Sequence, residues 1–209
     1  ISVNQNTSSS YFQTTITDAD GELGGIYPGW CIDTDETINP NRSYQAVPVP
    51  AYIVDVYGNV VINPEVVGLV DDPTRLDEVA WLVNQDFVGN GYHYCDVQTA
   101  IWDLLGESRS ACPGRDDTRV AELFDFALAN GLDFVPGCEQ KVPVILVPVN
   151  DFGGYAAQIT IAQITFAEIQ VPCVVELGDC ETAWALADNG QTWGRGGGWG
   201  EYFVYYGCQ

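Results

Sequence analysis

Seven cysteines, the first at Cys31 and the last at Cys208, restrict what this 209-residue chain can fold into more than any other feature. They contain no CxxC pair, and the sequence has one histidine, so the pattern is not typical of a zinc-binding scaffold. It is typical of a protein whose disulfides form in an oxidising compartment. Because seven is odd, we expect one cysteine either to pair between chains or to have a chemical role.

The composition also indicates export. The chain begins at Ile1 and contains no methionine, so we expect a processed protein whose signal peptide has been removed, and which is secreted or displayed at a cell surface. Asn-x-Ser/Thr sequons at Asn6 and Asn41 are candidate glycosylation sites that agree with this location.

The charge excludes two classes of partner. Acidic residues outnumber basic ones by 29 to 7, which gives a net charge of -22. The cations are too few to displace counterions from phosphates, so binding along a nucleic acid or on an anionic membrane surface is excluded. The sequence contains no apolar stretch of about 18 residues, so we expect no membrane insertion.

Composition changes along the chain predict three segments. Residues 1–16 are predicted to form an extended N-terminal arm, polar at first and β-alternating at its end. Residues 17–170 are predicted to form the main domain. Residues 171–209, which are rich in Cys, Gly and Trp, are predicted to form a small β appendage pinned by a disulfide.

The periodicity of the main domain predicts an α+β fold. A strand is expected to end near Cys31, and a hairpin is expected within residues 52–62. Apolar residues at helical spacing predict three helices, and apolar or alternating runs predict two later strands. The helices are expected at 74–85, 96–105 and 117–130, and the strands at 142–149 and 158–166. We therefore expect a β-sandwich or barrel-like sheet with a three-helix insertion.

Two segments carry residues suited to one particular chemistry. Tyr27-Pro-Gly-Trp-Cys31-Ile-Asp33 places a cysteine at a strand end, and Val97-Gln98-Thr-Ala-Ile-Trp102 places a glutamine on a helix. With the helix around residues 79–84 and the Asn130-Gly131 to Val135-Pro136-Gly137 region, they resemble the Cys-Gln thioester domains of bacterial and archaeal cell-surface proteins. The resemblance covers about residues 24–168.

The resemblance implies an internal thioester between the Cys31 sulfur and the Gln98 side-chain carbonyl, formed with loss of ammonia. An apolar wall of Trp30, Trp81 and Trp102 would exclude water from such a bond. A partner's amine or hydroxyl would attack the thioester once and remain attached, so the resemblance implies covalent capture without enzymatic turnover.

His93 and the remaining cysteines leave alternatives open. His93 lies five residues before Gln98 and is a candidate to assist acyl transfer, although a lone histidine is more often a structural hydrogen-bonding residue. Cys31 could instead pair with another cysteine, which would leave Gln98 an ordinary helix residue. If the thioester forms, six cysteines remain, with 15 connectivities. Our guesses are Cys112–Cys138 and Cys180–Cys208, with Cys95 and Cys173 as the other two half-cystines.

Metal binding and hydrolytic catalysis have little support. Two acidic turns resemble the start of a calcium loop but lack its full spacing, so a solvated turn is the alternative. These weak calcium candidates are Asp18, Asp20, Glu22, Asp33 and Asp35. No other cofactor is indicated. A single histidine and no nucleophile elbow exclude Ser-His-Asp hydrolysis, so we do not expect an enzyme.

Two functions from different classes follow. The first is a structural subunit of an extracellular fibre, sheath or surface layer, in which the N-terminal arm adds a strand to a like subunit of a homopolymer. The second is an adhesin that captures a protein of a partner surface through Cys31 and Gln98.

Overall fold

The structure, a computed structural model, describes most of the chain up to residue 165. The described residues are 1–5, 8–17, 23–40, 42–54, 60–137, 140–150, 154 and 156–165. The predicted β appendage at 171–209 and several candidate residues lie outside them. These residues are Asn6, Asn41, Asp18, Asp20, Glu22, Cys138, Cys173, Cys180 and Cys208.

An antiparallel sheet of six strands dominates the described residues. Its spatial order is β1-β2-β3-β8-β7-β4, so β3 and the last of the described strands, β8, pair in the middle of the sheet. A separate pair, β5 and β6, confirms the hairpin predicted within residues 52–62. The strands are β1 Ser2–Gln5, β2 Phe12–Ile16, β3 Gly25–Cys31, β4 Gln45–Pro50, β5 Tyr52–Val54, β6 Val60–Ile62, β7 Lys141–Val149 and β8 Thr160–Thr165.

The sheet curls into a half-barrel. The Ile1 amino group donates a hydrogen bond of 2.5 Å to the Tyr44 carbonyl, and the Tyr44 N–H donates one of 2.6 Å to the Ile1 carbonyl. A bridge between Ser2 and Ser43 completes this contact, which joins β1 to the residues just before β4. The predicted N-terminal arm is therefore part of its own domain's sheet, and its order needs no neighbouring molecule.

Burial explains why β7 is a continuous apolar run. Seven consecutive residues, from Val142 to Pro148, are buried, because β7 pairs on both sides and lies under the helices. β2 instead alternates between buried and less buried residues, with Phe12, Thr14 and Ile16 directed inward. The two patterns place the core between the curled sheet and the helices.

Three helices lie between β6 and β7, as predicted: α1 Leu76–Val83, α2 Tyr94–Leu104 and α3 Asp117–Asn130. α2 begins two residues before its predicted start, because His93 caps it and the Asp96 side chain accepts the His93 N–H at 2.8 Å. Among the described residues, no helix is both long enough and apolar enough to cross a membrane.

A disulfide joins Cys95 in the first turn of α2 to Cys112 in the loop before α3, and their Cα atoms are 5.5 Å apart. The guessed Cys112–Cys138 bridge is therefore wrong. The loop after α2 folds back onto the start of that helix, where buried Asp96 accepts the Asp116 N–H at 2.7 Å. This fold-back brings Cys112 to Cys95.

Replacing both Cys95 and Cys112 with alanine is predicted to lower the free energy of unfolding by about 3 kcal/mol, because the bridge closes a loop of moderate length. Urea unfolding of the oxidised wild type and the double variant measures the difference. Equal stabilities, or a peptide map that links Cys112 to Cys138, would contradict the bridge.

Candidate functional site

Cys31 is the last residue of β3 and lies opposite Thr160 of β8. Its side chain is fully buried, and within the described part of the chain it is a free thiol. It belongs to a small apolar cluster, separate from the main core. That cluster contains Val3, Phe12, Cys31, Ile38, Trp102 and Ala157, with Tyr11 and Tyr44 packed against it.

Gln98 of α2 reaches the backbone of Cys31. Its Oε1 accepts the Cys31 N–H at 2.9 Å, and its Nε2 donates to the Cys31 carbonyl at 2.8 Å. Gln98 is fully buried, as a helix residue facing the sheet must be. The structure thus brings together the two residues selected from the sequence, but both polar atoms of the Gln98 carboxamide are bonded to main-chain atoms.

The Cys31 sulfur contacts a different carboxamide. Its Sγ lies 2.9 Å from Oε1 of Gln158, which is buried just before β8. Sequence reasoning missed this residue. The only available signal was a glutamine at the start of the strand predicted at 158–166, and a polar residue there is equally typical of an exposed face.

Asp33 holds the segment that carries Gln158. The Gln158 Nε2 donates to the Asp33 carbonyl, and Asp33 Oδ2 accepts the Ile159 N–H at 2.5 Å. Asp33 Oδ1 accepts the Asp35 N–H at 2.8 Å. Backbone N–H groups thus donate to both oxygens of this carboxylate, which was one of the weak calcium candidates. The described residues contain no group of three or more side chains suited to a metal ion.

The environment of Cys31 disfavours its ionised form. Burial raises the pKa of the Cys31 thiol well above its usual value, and the negative charge of Asp33 raises it further. The sulfur is therefore a neutral thiol at neutral pH. A neutral thiol is a donor, which agrees with its contact to the Gln158 carbonyl oxygen.

A cleft of about 230 Å³ opens onto the Gln158 side chain. Three aromatic rings line it, those of Tyr11, Phe12 and Trp102, and the centroids of Tyr11 and Trp102 lie 6.0 Å apart. Cys31 does not line the cleft, and its side chain is fully buried. A small group entering from solvent would therefore meet the Gln158 carboxamide before it met the sulfur.

The other predicted pocket residues have different positions. Trp30 is buried in the main core, and Trp81 is partly buried against Phe87, so neither belongs to the Cys31 cluster, whereas Trp102 does. The His93 ring accepts the Cys95 N–H at 3.2 Å as the cap of α2. This is a structural role. Among the described residues, no hydrogen bond of His93 indicates a role in acyl transfer.

A comparison with protein-family models, with curated proteins and with solved structures finds no match. The chemistry of this site is therefore argued from its geometry. What the geometry provides is a buried neutral thiol, a carbonyl oxygen in contact with it, and a cleft that reaches that carbonyl.

Replacing Gln98 with alanine is predicted to lower the free energy of unfolding by about 3 kcal/mol, because it leaves a buried N–H and a buried C=O of Cys31 unpaired. Replacing the exposed Gln13 of β2 with alanine is the matched control and should change stability by less than about 0.5 kcal/mol. Urea unfolding measures both. Equal losses would show that the Gln98 bonds contribute nothing specific.

The raised pKa of the Cys31 thiol predicts a stability that falls at alkaline pH. Above about pH 8.5 the unfolded chain releases the thiol proton while the folded chain keeps it, so ionisation favours unfolding. The contribution is complete below that pH and is lost as the pH rises towards the folded-state pKa. The Gln158→Ala protein retains the Cys31 thiol and Asp33. Its stability should therefore decline more steeply between pH 8 and pH 10 than that of the Cys31→Ala, Gln158→Ala protein, at up to about 1.4 kcal/mol per pH unit. Parallel pH curves would contradict the shift.

Proposed function

We propose that this chain captures a partner covalently through an internal thioester between Cys31 Sγ and the side-chain carbonyl of Gln158. The observation that carries the proposal is the 2.9 Å contact between Sγ and Gln158 Oε1 inside a buried apolar cluster. The reactive carbon is one covalent bond from the oxygen that the sulfur touches. The resemblance of the Cys31 and Gln98 segments to thioester domains supports the same bond type.

The hydrogen bonds favour Gln158 over Gln98 as the acyl donor. The Gln98 carboxamide is fixed at both ends by the backbone of Cys31, so turning its carbonyl carbon towards the sulfur would break two bonds. Gln158 already presents its carbonyl to the sulfur. In this proposal Gln98 holds the Cys31 backbone in place, and Gln158 supplies the acyl group. The pairing of Cys31 with Gln98, which the resemblance to thioester domains implies, remains the alternative.

The proposed chemistry balances without an oxidant or a cofactor. In the first step a bond forms between Cys31 Sγ and Gln158 Cδ, the bond from Cδ to Nε2 breaks, and the thiol proton leaves with the nitrogen as ammonia. In the second step a partner's amine or hydroxyl attacks Cδ and loses a proton, and the Cys31 sulfur leaves and recovers a thiol proton. The product is an amide or ester at Gln158.

The surroundings favour a cationic partner group, such as the amine of a lysine. A second cavity of about 330 Å³ shares Glu36 with the cleft over Gln158, and its charged lining is entirely acidic. The net charge of -22 adds a long-range attraction for basic partners. The carboxylates of this cavity are Asp33, Asp35, Glu36, Asp71 and Glu107.

The alternative of a self-assembling subunit has weaker support. β1 pairs with its own sheet, and Pro48 and Pro50 remove two backbone donors from β4, the outer strand at the opposite side of the described sheet. An N-terminal strand that already pairs within its own sheet is less available for donation to a neighbouring subunit. The Cys95–Cys112 disulfide supports the proposed extracellular or cell-surface location, because such bonds persist in oxidising compartments.

Intact-mass measurement under non-reducing conditions tests the proposal. The wild type should weigh one ammonia less than its disulfide-bonded sequence, and methylamine should add covalently. Peptide mapping should find the methylamide at Gln158. Cys31→Ala and Gln158→Ala should each abolish both signals, while Gln98→Ala should lower the yield and leave the labelled residue unchanged.

Two results would overturn it. An unmodified wild-type mass together with an alkylatable Cys31 in the unfolded protein would remove the thioester. A methylamide found at Gln98 would keep the thioester and reject Gln158 as its acyl donor.

A further inference from the structure

Asp33 makes contact with the Gln158 segment through both its main chain and its side chain. Its carbonyl oxygen accepts the Gln158 Nε2, the nitrogen that would leave as ammonia, and its Oδ2 accepts the N–H of the following residue, Ile159. Its Oδ1 accepts the Asp35 N–H, which fixes the carboxylate itself. The residue is 6% exposed, so water competes little for these bonds.

We propose that Asp33 is a positioning residue for thioester formation, which holds the Gln158 carboxamide with its carbonyl towards the Cys31 thiol and its amino group towards the Asp33 carbonyl. The inference rests on the proposed function, because it takes Gln158 as the acyl donor. It assigns to an acidic residue near the thiol a role that does not use its charge.

The Gln158 carboxamide has two possible orientations, related by a half turn that exchanges Oε1 and Nε2. In the observed orientation the Nε2 donates to the Asp33 carbonyl and the Oε1 faces the thiol. The reverse orientation would place two carbonyl oxygens against each other and remove the acceptor from the thiol. The Asp33 carbonyl thus selects the orientation, and the Asp33 carboxylate keeps the Gln158 backbone within reach by holding Ile159.

The charge of Asp33 has the opposite effect on the reaction. The carboxylate raises the pKa of the Cys31 thiol and so lowers the fraction of thiolate, which is the attacking form. Asp33 therefore weakens the nucleophile electrostatically while aligning its target. The two effects differ in sign, so the direction of the rate change in a variant that loses the charge and one acceptor oxygen shows which effect is larger.

The test compares Asp33→Asn and Asp33→Ala with the wild type and with Asp125→Asn, a control at an exposed carboxylate of α3 that lines neither cavity. Each protein is isolated from inclusion bodies, in which the chain has not folded, and the loss of ammonia during its refolding is followed by intact mass. If alignment dominates, formation should slow by about 10-fold in Asp33→Asn and by about 100-fold in Asp33→Ala, because small displacements of reacting groups have effects of this size. The control should match the wild type. Formation in Asp33→Asn that equals or exceeds the wild-type rate would overturn the inference.

A second rate distinguishes positioning from a general structural defect. Once the thioester has formed, Nε2 is gone and the Asp33 carbonyl no longer has an amide to orient. The reaction of the formed thioester with methylamine should therefore change by less than about threefold in Asp33→Asn. Equal losses in formation and in aminolysis would indicate a disturbed fold and would overturn the inference.

A measurement on a protein with Asp33 intact keeps the inference testable even if both variants fail to fold. In Cys31→Ala, which cannot form the thioester, nuclear magnetic resonance should show slow hydrogen exchange for a Gln158 Nε2 proton and for the Ile159 amide proton. Fast exchange of both protons would overturn the inference. An absent ammonia deficit in the wild type would instead reject the proposed function, so the two failures are distinguishable.

Discussion

Two hydrogen bonds between the Gln98 carboxamide and the backbone of Cys31 join helix α2 to the end of strand β3. On the side of β3 that faces β2, the sheet provides no strand to pair with Cys31. β2 begins at Phe12, opposite Gly29, and so stops two residues short of Cys31. The Ile32 N–H bonds to Ile159 on the β8 side, so by alternation the Cys31 N–H faces the side where β2 is missing. The Gln98 carboxamide makes the hydrogen bonds to Cys31 that a longer β2 would make. These bonds fix the helix, the strand end and the thiol relative to one another.

Local patterns predicted the elements, whereas long-range contacts decided their arrangement. The spacing of Val120, Leu123 and Ala127 predicted α3, and these side chains are buried. No local pattern could show that β3 pairs with β8, more than 120 residues later, or that β1 closes onto the residues before β4. For the same reason the guess of Cys138 as the partner of Cys112 was wrong, because the loop between α2 and α3 folds back to Cys95.

The candidate site could be predicted only in part, and the reason is similar. Cys31 and Gln98 stood out through an odd cysteine count and a helix motif, and the structure places them in direct contact. Gln158 did not stand out, because a glutamine at the start of an alternating strand resembles any surface residue until the strand's neighbours are known. Asp33 was a weak calcium candidate because of its acidic neighbours, with a solvated turn as the alternative, yet its side chain is buried and its oxygens accept backbone N–H groups. A side chain's hydrogen-bond partners are a property of the fold, and composition around it does not reveal them.

Burial of the Cys31 thiol has consequences that agree with a single covalent event. A raised pKa lowers the thiolate fraction. At a fixed pH, each unit of increase in the pKa raises the free energy of forming the thiolate by about 1.4 kcal/mol. Close placement of the thiol beside a carbonyl can offset this loss, since good orientation lowers the activation free energy by about 7 to 11 kcal/mol relative to free reactants. The same burial makes the sulfur a poorer leaving group, so a thioester here would resist stray water and yield only to a nucleophile that the cleft admits. Slow formation and slow loss thus have one physical cause, and they suit capture that happens once better than they suit repeated turnover.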